Sequence, residues 1–242
     1  NGGVSNARNV AIAHSTGEFI LPLDGDDKIS TNYIFELLEV FDEDPNITVA
    51  YGGGEKFGIA NGLWEVAEYS LENLILSNMI HCTGMFRRSD FERIGGYDVK
   101  MHEGLEDWEF WINLLKNGGQ VRKVDTARFF YRVKEVSRMT KITRGKRYRL
   151  LAYIYSKHSE LYENYVNDYS KPISIDFPYS FWLSAVTYFK DDHERIRKLN
   201  KYFKFKLNSE LKKTNFLQRK RLLFYWYRIG KLDFSLWDVI TK

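Results

Sequence analysis

The sequence predicts an α/β fold with a helical region behind it, and three observations carry that prediction. Short apolar runs alternate with stretches of helical periodicity up to about residue 135, which is the pattern of a sheet flanked by helices. An acidic turn, Asp24-Gly25-Asp26-Asp27, directly follows one of those apolar runs, at the end of the strand where open α/β sheets bind ligands. From about Arg144 onward the pattern becomes helical, basic and aromatic.

The elements follow in order. Val4, Ala7, Val10, Ala11 and His14 recur at helical spacing, and Gly17 is expected to stop that helix. Phe19 to Leu23 reads as a buried strand, placed near an edge or a strand end by Pro22. After the acidic turn, Ser30 or Thr31 should cap a helix whose apolar positions are Ile34, Leu37, Leu38 and Phe41. Ile47 to Tyr51 reads as a strand, and Asn61-Gly62 marks a hairpin within Glu55 to Glu68. A helix from Leu71 to Asn78 leads to a strand at Cys82 to Phe86. A short helix over Ser89 to Ile94 is broken by Gly95-Gly96. Glu106 to Lys116 is a strong helix with Trp108, Trp111 and Leu115 on one face. Val121 to Val124 and Ala127 to Val133 read as two strands. The boundary is expected within Thr140 to Gly145, giving a core over residues 1–140 and a helical, basic and aromatic region over 141–242.

Composition narrows the function. The 242 residues are 44% hydrophobic and 28% charged, a globular balance. One cysteine, Cys82, excludes an intrachain disulfide, a Cys-rich zinc site and a CxxC redox pair, and fits a reducing, cytoplasmic setting. No stretch reaches the roughly 20 apolar residues of a membrane helix. Residues 1–140 carry 14 Lys/Arg against 22 Asp/Glu, and residues 141–242 carry 22 against 10. The front is acidic and the back basic.

Three carboxylates within four residues repel one another unless a cation sits among them. Carboxylate oxygens suit a hard divalent ion such as Mg²⁺ or Mn²⁺, which substrate phosphates then complete. The alternative is a solvated loop whose acids favour the following helix N-terminus. An EF-hand does not fit, because the Asp-x-Asp-x-Asp-Gly register and the later Glu are absent. Glu106-Asp107 opens the strong helix, where the dipole favours ionised carboxylates. One of them can serve as a general base, and both can equally be ordinary first-turn acids. His102 and Glu103 line the same cleft or are exposed.

In sequence order, several segments resemble the family 2 glycosyltransferases of the GT-A fold. They are Asn1-Gly2-Gly3-Val4-Ser5-Asn6-Ala7-Arg8-Asn9, Ala13 to Ile20, Leu23 to Asp27, Gly84 to Arg88, Ile94 to Asp98 and Gly104 to Trp111. The resemblance covers roughly residues 1–135. It implies a nucleotide-diphospho-sugar transferase core, a Rossmann-like mixed sheet flanked by helices. It further implies that Asp24, Asp26 and Asp27 form the DxD-type motif, with Asp24 and Asp26 holding Mn²⁺ or Mg²⁺ on the donor diphosphate. Arg8 reaches the phosphates or is a surface helix residue. Asp107, beside Glu106, matches the proposed general base of an inverting displacement.

The donor this implies is a nucleotide-diphosphate sugar, UDP-linked by preference, and the acceptor a saccharide or lipid-linked saccharide, as in polysaccharide biosynthesis. The sequence departs from the family pattern in two places. The strands that usually hold base and ribose precede the first residue of this chain, so an N-terminally truncated core is expected. Such a core is expected to bind nucleotide weakly, to be inactive by itself, and to cover an exposed sheet edge either by oligomerising or by repacking its first helix. Asn113 also stands where the family helix often carries an Arg.

A second reading is a non-catalytic module that keeps the fold. Its tail, from Arg144, Lys146, Arg147 and Arg149 through Arg219-Lys220-Arg221 and Leu222 to Tyr227, would contact a partner or the inner membrane face. A third, a nucleotidyltransferase, lacks its Gly-rich phosphate loop. No nucleic-acid-binding motif is present.

Overall fold

The computed structural model describes residues 2–162 together with 193, 194, 196, 197, 200 and 201. The chain divides into two compact units, Asn1–Ile142 and Thr143–Lys242. Among the described residues no helix is long and apolar enough to cross a membrane.

The first unit holds α1 (Gly3–Ala13), β1 (Phe19–Ile20), β2 (Lys28–Ile29), α2 (Tyr33–Glu43), β3 (Ile47–Gly58), β4 (Gly62–Trp64), α3 (Leu71–Leu76), β5 (Met85–Arg87), α4 (Arg88–Ile94), α5 (Glu106–Leu115) and β6 (Gln120–Val133). The sheet runs β1-β5-β3-β6-β2, with β4 pairing β3 on the side that β5 occupies further back. Only β3 and β6 are parallel; the other pairs are antiparallel. This is a mixed α/β sheet flanked by helices, as expected. β1 lies on the edge, where a following Pro22 costs no ladder bond.

Successive residues of a strand face opposite sides, and β5 shows both faces of the sheet filled. Met85 joins Tyr33, Leu37, Val40 and Phe41 of α2, with Ile47, Ala50, Ala127 and Phe129. Phe86 faces the other way, 4.9 Å from Phe110 and 5.8 Å from Trp111 of α5. Burying each such side chain is worth roughly 1.5–3 kcal/mol, so the two apolar layers hold the strand ends that carry the site.

Several local expectations are corrected. Ser30 and Thr31 do not cap α2. Its N-cap is Asn32, which makes no side-chain cap bond, while the Arg128 N–H donates to Ser30 Oγ at 3.0 Å. Ile34 is exposed, and Tyr33 and Val40 take the buried face with Leu37 and Phe41. α1 ends at Ala13, ahead of Gly17. β2 was not foreseen. The two strands expected over 121–133 are one. Gly52 pairs with Val124 and Gly53 with Arg128, so residues 125–127 bulge out of the ladder, which also shifts register once near its start, between Ile47 and Val49.

In the second unit, α6 (Arg144–Lys157) starts where Thr143 accepts from the Lys146 N–H at 3.3 Å. Leu150, Ala152, Ile154 and Tyr155 are buried. The basic and aromatic tail read from Arg195, Lys198, Lys204 and Arg219 to Tyr227 lies outside the described residues, as does Asn1.

Candidate functional site

The acidic turn is held from both ends. Asp27 N–H donates to the Asp24 carbonyl at 3.0 Å and closes it. Beyond it, β2 pairs with Phe129 and Phe130 of β6. Two residues further along β6, the Arg132 N–H donates to Asp27 Oδ1 and Arg132 Nε to the Asp26 carbonyl, each at 2.8 Å. Gly25 is not in the left-handed region, and a Cβ there would meet nothing within 4 Å. The turn therefore does not depend on a glycine at this position; the bonds to β6 shape it.

The three aspartates are held differently. Asp24 accepts from Arg8 at 2.8 Å. Asp26 is exposed and forms a 2.6 Å ion pair with Lys134, whose hydrogen bond holds its carboxyl below the usual range. Asp27 is pushed up to about 6, first by burial and then by the charges of Asp26 and Asp24. Donor atoms of Asp24, Asp27 and the Cys82 thiol all lie within 4.8 Å of one another. Burial raises the Cys82 thiol well above its ordinary value, so at neutral pH the carboxylates are the available anionic donors. Such a set of carboxylate oxygens suits a hard divalent cation.

Arg8 connects this turn to the second acidic pair. Its side chain is only 10% exposed, with one guanidinium nitrogen on Asp24 and another 3.3 Å from Glu106 Oε1. The surface-helix alternative for Arg8 is thereby ruled out. Helix α1 is fixed by Asn9, whose Nδ2 donates to the Tyr97 carbonyl at 2.8 Å and whose Oδ1 accepts from the Tyr97 N–H at 2.9 Å. Gly3, at φ 77°, lets the helix start against His102; a Cβ would sit 2.9 Å from His102 Cβ. Otherwise His102 is exposed.

The start of α5 is set by two left-handed residues in sequence, Gly104 at φ 140° and Leu105 at φ 59°. A non-glycine residue there is strained, and such strain collects where a site demands a particular backbone. Glu106 follows, 2% exposed, its Oε1 shared by Arg8 and by Arg138 at 2.6 Å. Its Oε2 is buried without a hydrogen-bond partner among the described residues. Asp107 accepts from the Trp108 N–H at 2.8 Å and from Asn78 Nδ2 at 3.1 Å. Burial first, then Glu106, push its carboxyl up to about 6. Trp108 Nε1 donates to the Leu74 carbonyl at 2.6 Å and ties α5 to α3.

The fold thus gathers Arg8, Asp24, Asp26, Asp27, Glu106 and Asp107 about one network, although some 80 residues separate the two acidic segments. Sequence reasoning missed Asn78, Cys82, Arg132, Lys134 and Arg138. A signal was present for the last three, as basic residues closely spaced at and just beyond the end of the last strand of an acidic half.

Residues 1–95 match the family model described as glycosyl transferase family 2, and residues 67–141 match one described as the N-terminal domain of galactosyltransferase. An uncharacterized glycosyltransferase of Haemophilus influenzae is 31% identical over 124 residues, 48% of this chain and 42% of that protein. The minor teichoic acid biosynthesis protein GgaB of Bacillus subtilis is 28% identical over 145 residues, 56% of this chain and 16% of that one. The chain thus spans less than half the length of these curated relatives. Among solved structures, that of S. aureus TarS superposes with a TM-score of 0.52 at 15% identity, over 94% of this chain and 42% of that one. This likeness is one of fold.

Proposed function

Residues 1–95 of this chain belong to glycosyltransferase family 2, and from that premise we infer that the network around Arg8 is a sugar-transfer site. The donor is a nucleotide-diphosphate sugar, the acceptor a saccharide hydroxyl, and the displacement inverts the anomeric carbon. The observation that carries this reading is the Arg8 bridge, which places the acidic turn and the start of α5 on one guanidinium.

Asp24 and Asp27, whose carboxylate oxygens lie within 4.8 Å of each other, would hold a divalent cation; Asp26, expected to share it with Asp24, is instead paired with Lys134. When bound, the ion neutralises charge that gathers on the departing diphosphate. Asp107 is the base. Its raised pKa leaves it ionised at neutral pH, yet closer to the pKa at which a carboxylate accepts a proton efficiently. The Asn78 amide and the Trp108 N–H fix the direction of its two oxygens. Glu106, held by Arg8 and Arg138, keeps Asp107 from pairing with either cation and raises its basicity. A UDP-linked donor and a lipid-linked acceptor at the inner membrane face extend the same proposal to the whole protein.

Calorimetric titration of UDP and GDP, with and without Mn²⁺, into this chain and its Asp24→Ala variant tests the reading. Metal-dependent binding that the variant loses supports it and identifies the base. Equal binding by both chains overturns the assignment of the acidic turn.

A further inference from the structure

Helix α5 carries the proposed base, and the segment between α3 and β5 supplies its neighbour. Asn78 stands in that segment, with Leu74 and Ile75 before it and Met79 and Ile80 after it all buried. The Asn78 side-chain oxygen accepts from the Ile80 N–H at 3.2 Å, which leaves the amide one orientation. Its nitrogen donates to Asp107 Oδ2 at 3.1 Å. Asp107 Oδ1 accepts from the Trp108 N–H, and Trp108 Nε1, bonded to the Leu74 carbonyl, ties α5 to α3. Amide and carboxylate are thus fixed relative to each other from both sides.

Within these buried surroundings, Asn78 and Asp107 themselves are half-buried and border solvent. An amide nitrogen carries two hydrogens. One is on Asp107, and among the described residues no acceptor takes the other. The bond to Ile80 does not explain an asparagine here, since an aspartate or serine oxygen accepts a nearby backbone N–H equally well. What the amide adds is a second donor beside a carboxylate oxygen that keeps a free lone pair. Donor and acceptor stand 3.1 Å apart at the edge of the site.

Two hydroxyls on adjacent ring carbons match that pair. Each hydroxyl can both donate and accept, and gauche neighbours are spaced much as two hydrogen-bonded atoms are. One donates to Asp107 Oδ2 while the other accepts from Asn78. A hydroxyl with no such neighbour engages the carboxylate alone, and leaves its own orientation about the C–O bond undetermined.

Resting on the proposed transfer site, we propose that Asn78 and Asp107 together select an acceptor saccharide whose reacting hydroxyl has a hydroxyl on the neighbouring ring carbon. Asn78 holds the neighbour and thereby aims the reacting oxygen. In transfer that oxygen bonds to the anomeric carbon, its proton passes to Asp107 Oδ2, and the donor diphosphate leaves with the electron pair of the broken bond.

The test uses cyclohexane-1,2-diol and cyclohexane-1,3-diol, isomers that differ only in the spacing of their hydroxyls. Methyl β-D-glucopyranoside and methyl β-D-galactopyranoside serve as saccharide probes. Each is titrated into the full chain while ¹⁵N–¹H NMR follows the Asn78 side-chain amide and the Trp108 backbone N–H. The 1,2-diol and at least one glycoside should move both signals saturably. The 1,3-diol should bind roughly 3- to 10-fold more weakly, the effect of one lost hydrogen bond. Asn78→Asp keeps an oxygen for the Ile80 N–H but loses the second donor. Followed at Trp108, it should bind the two isomers equally. A residue that only braces the loop would not set a preference between isomers.

The inference is overturned if the parent binds both diols equally or neither, if no glycoside binds, or if Asn78→Asp keeps the preference. The isomer comparison on the parent stands even if the variant fails to fold. Metal-dependent UDP binding that Asp24→Ala abolishes would then leave the transferase reading standing, with another grip on the acceptor. Selective diol and glycoside binding by a chain that binds no UDP would instead keep the saccharide pair and count against the donor site.

Discussion

Replacing Asp107 by Asn should make the protein more stable at pH 8, at the residue on which the proposed chemistry most depends. The Asp107 carboxyl is pushed up to about 6 from 3.8, by burial and then by Glu106. A carboxyl with a higher pKa in the folded than in the unfolded chain favours folding in its neutral form. Its contribution is fully present below 3.8 and is lost as pH rises through about 6. By pH 8 the loss amounts to about 3 kcal/mol, at 1.36 kcal/mol for each pK unit. Asparagine is neutral throughout and nearly isosteric. It keeps the acceptor for the Trp108 N–H but sets an amide N–H₂ against that of Asn78, forfeiting one hydrogen bond worth about 1 kcal/mol. The net expectation is a gain of about 2 kcal/mol at pH 8 that has vanished by pH 4. Urea denaturation of parent and variant at both pH values measures it. A variant no more stable than the parent at pH 8, or a gain that persists at pH 4, refutes the account. If Asp107 is the base, the same variant loses transfer activity by about 10²- to 10⁴-fold.

Arg8→Met leaves Glu106, almost wholly buried, with Arg138 alone. Breaking a buried pair costs roughly 3–5 kcal/mol, and about 2 kcal/mol is expected here because Arg138 remains and Asp24 is solvated. A double-mutant cycle with Glu106→Gln should return a coupling of about 1 kcal/mol or more, and one near zero refutes the bridge. Gly52→Ala would drive a Cβ to 2.6 Å from the Ala127 carbonyl, which is backbone within the β6 bulge and cannot swing aside. A loss of about 2–3 kcal/mol in urea denaturation is expected, and an unchanged midpoint would show that the approach is not so close. Ser70→Ala removes the side chain that accepts from the Asn73 N–H at the start of α3 and should cost about 1 kcal/mol by the same measurement.

What the sequence disclosed follows the range of the interactions involved. Helix α5 was legible because its acids, its apolar spacing and its glycine boundary are all local to residues 104–119. The acidic turn was legible as a cluster but its shape was not, because it is set by bonds from Arg132, more than 100 residues later. Strand β2 has two residues and no pattern of its own; it exists because β6 offers it Phe129 and Phe130. Ser30 looked like a helix cap because that is the commonest use of a serine before a helical stretch. Its hydroxyl instead accepts from Arg128, a pairing visible only once the β6 register is known. The bulge at 125–127 looked like a gap between two strands because the polar Asp125-Thr126 interrupts an apolar run.

The same distinction applies to the candidate site. The residues that resemble a family motif, Asp24, Asp26, Asp27, Glu106 and Asp107, lie within two contiguous segments. Those that restrain them, Asn78, Arg132, Lys134 and Arg138, come from the chain between and after those segments. Under the proposed function the carboxylates are the part of the site that chemistry fixes, since diphosphate neutralisation and proton removal would restrict the choice of side chain. Their restraints are fixed only by geometry, which many sequences can satisfy. If the proposed function holds, differences between this chain and its relatives in metal affinity or in the pKa of the proposed base, Asp107, should therefore track residues such as Lys134 and Asn78 rather than the aspartates they hold.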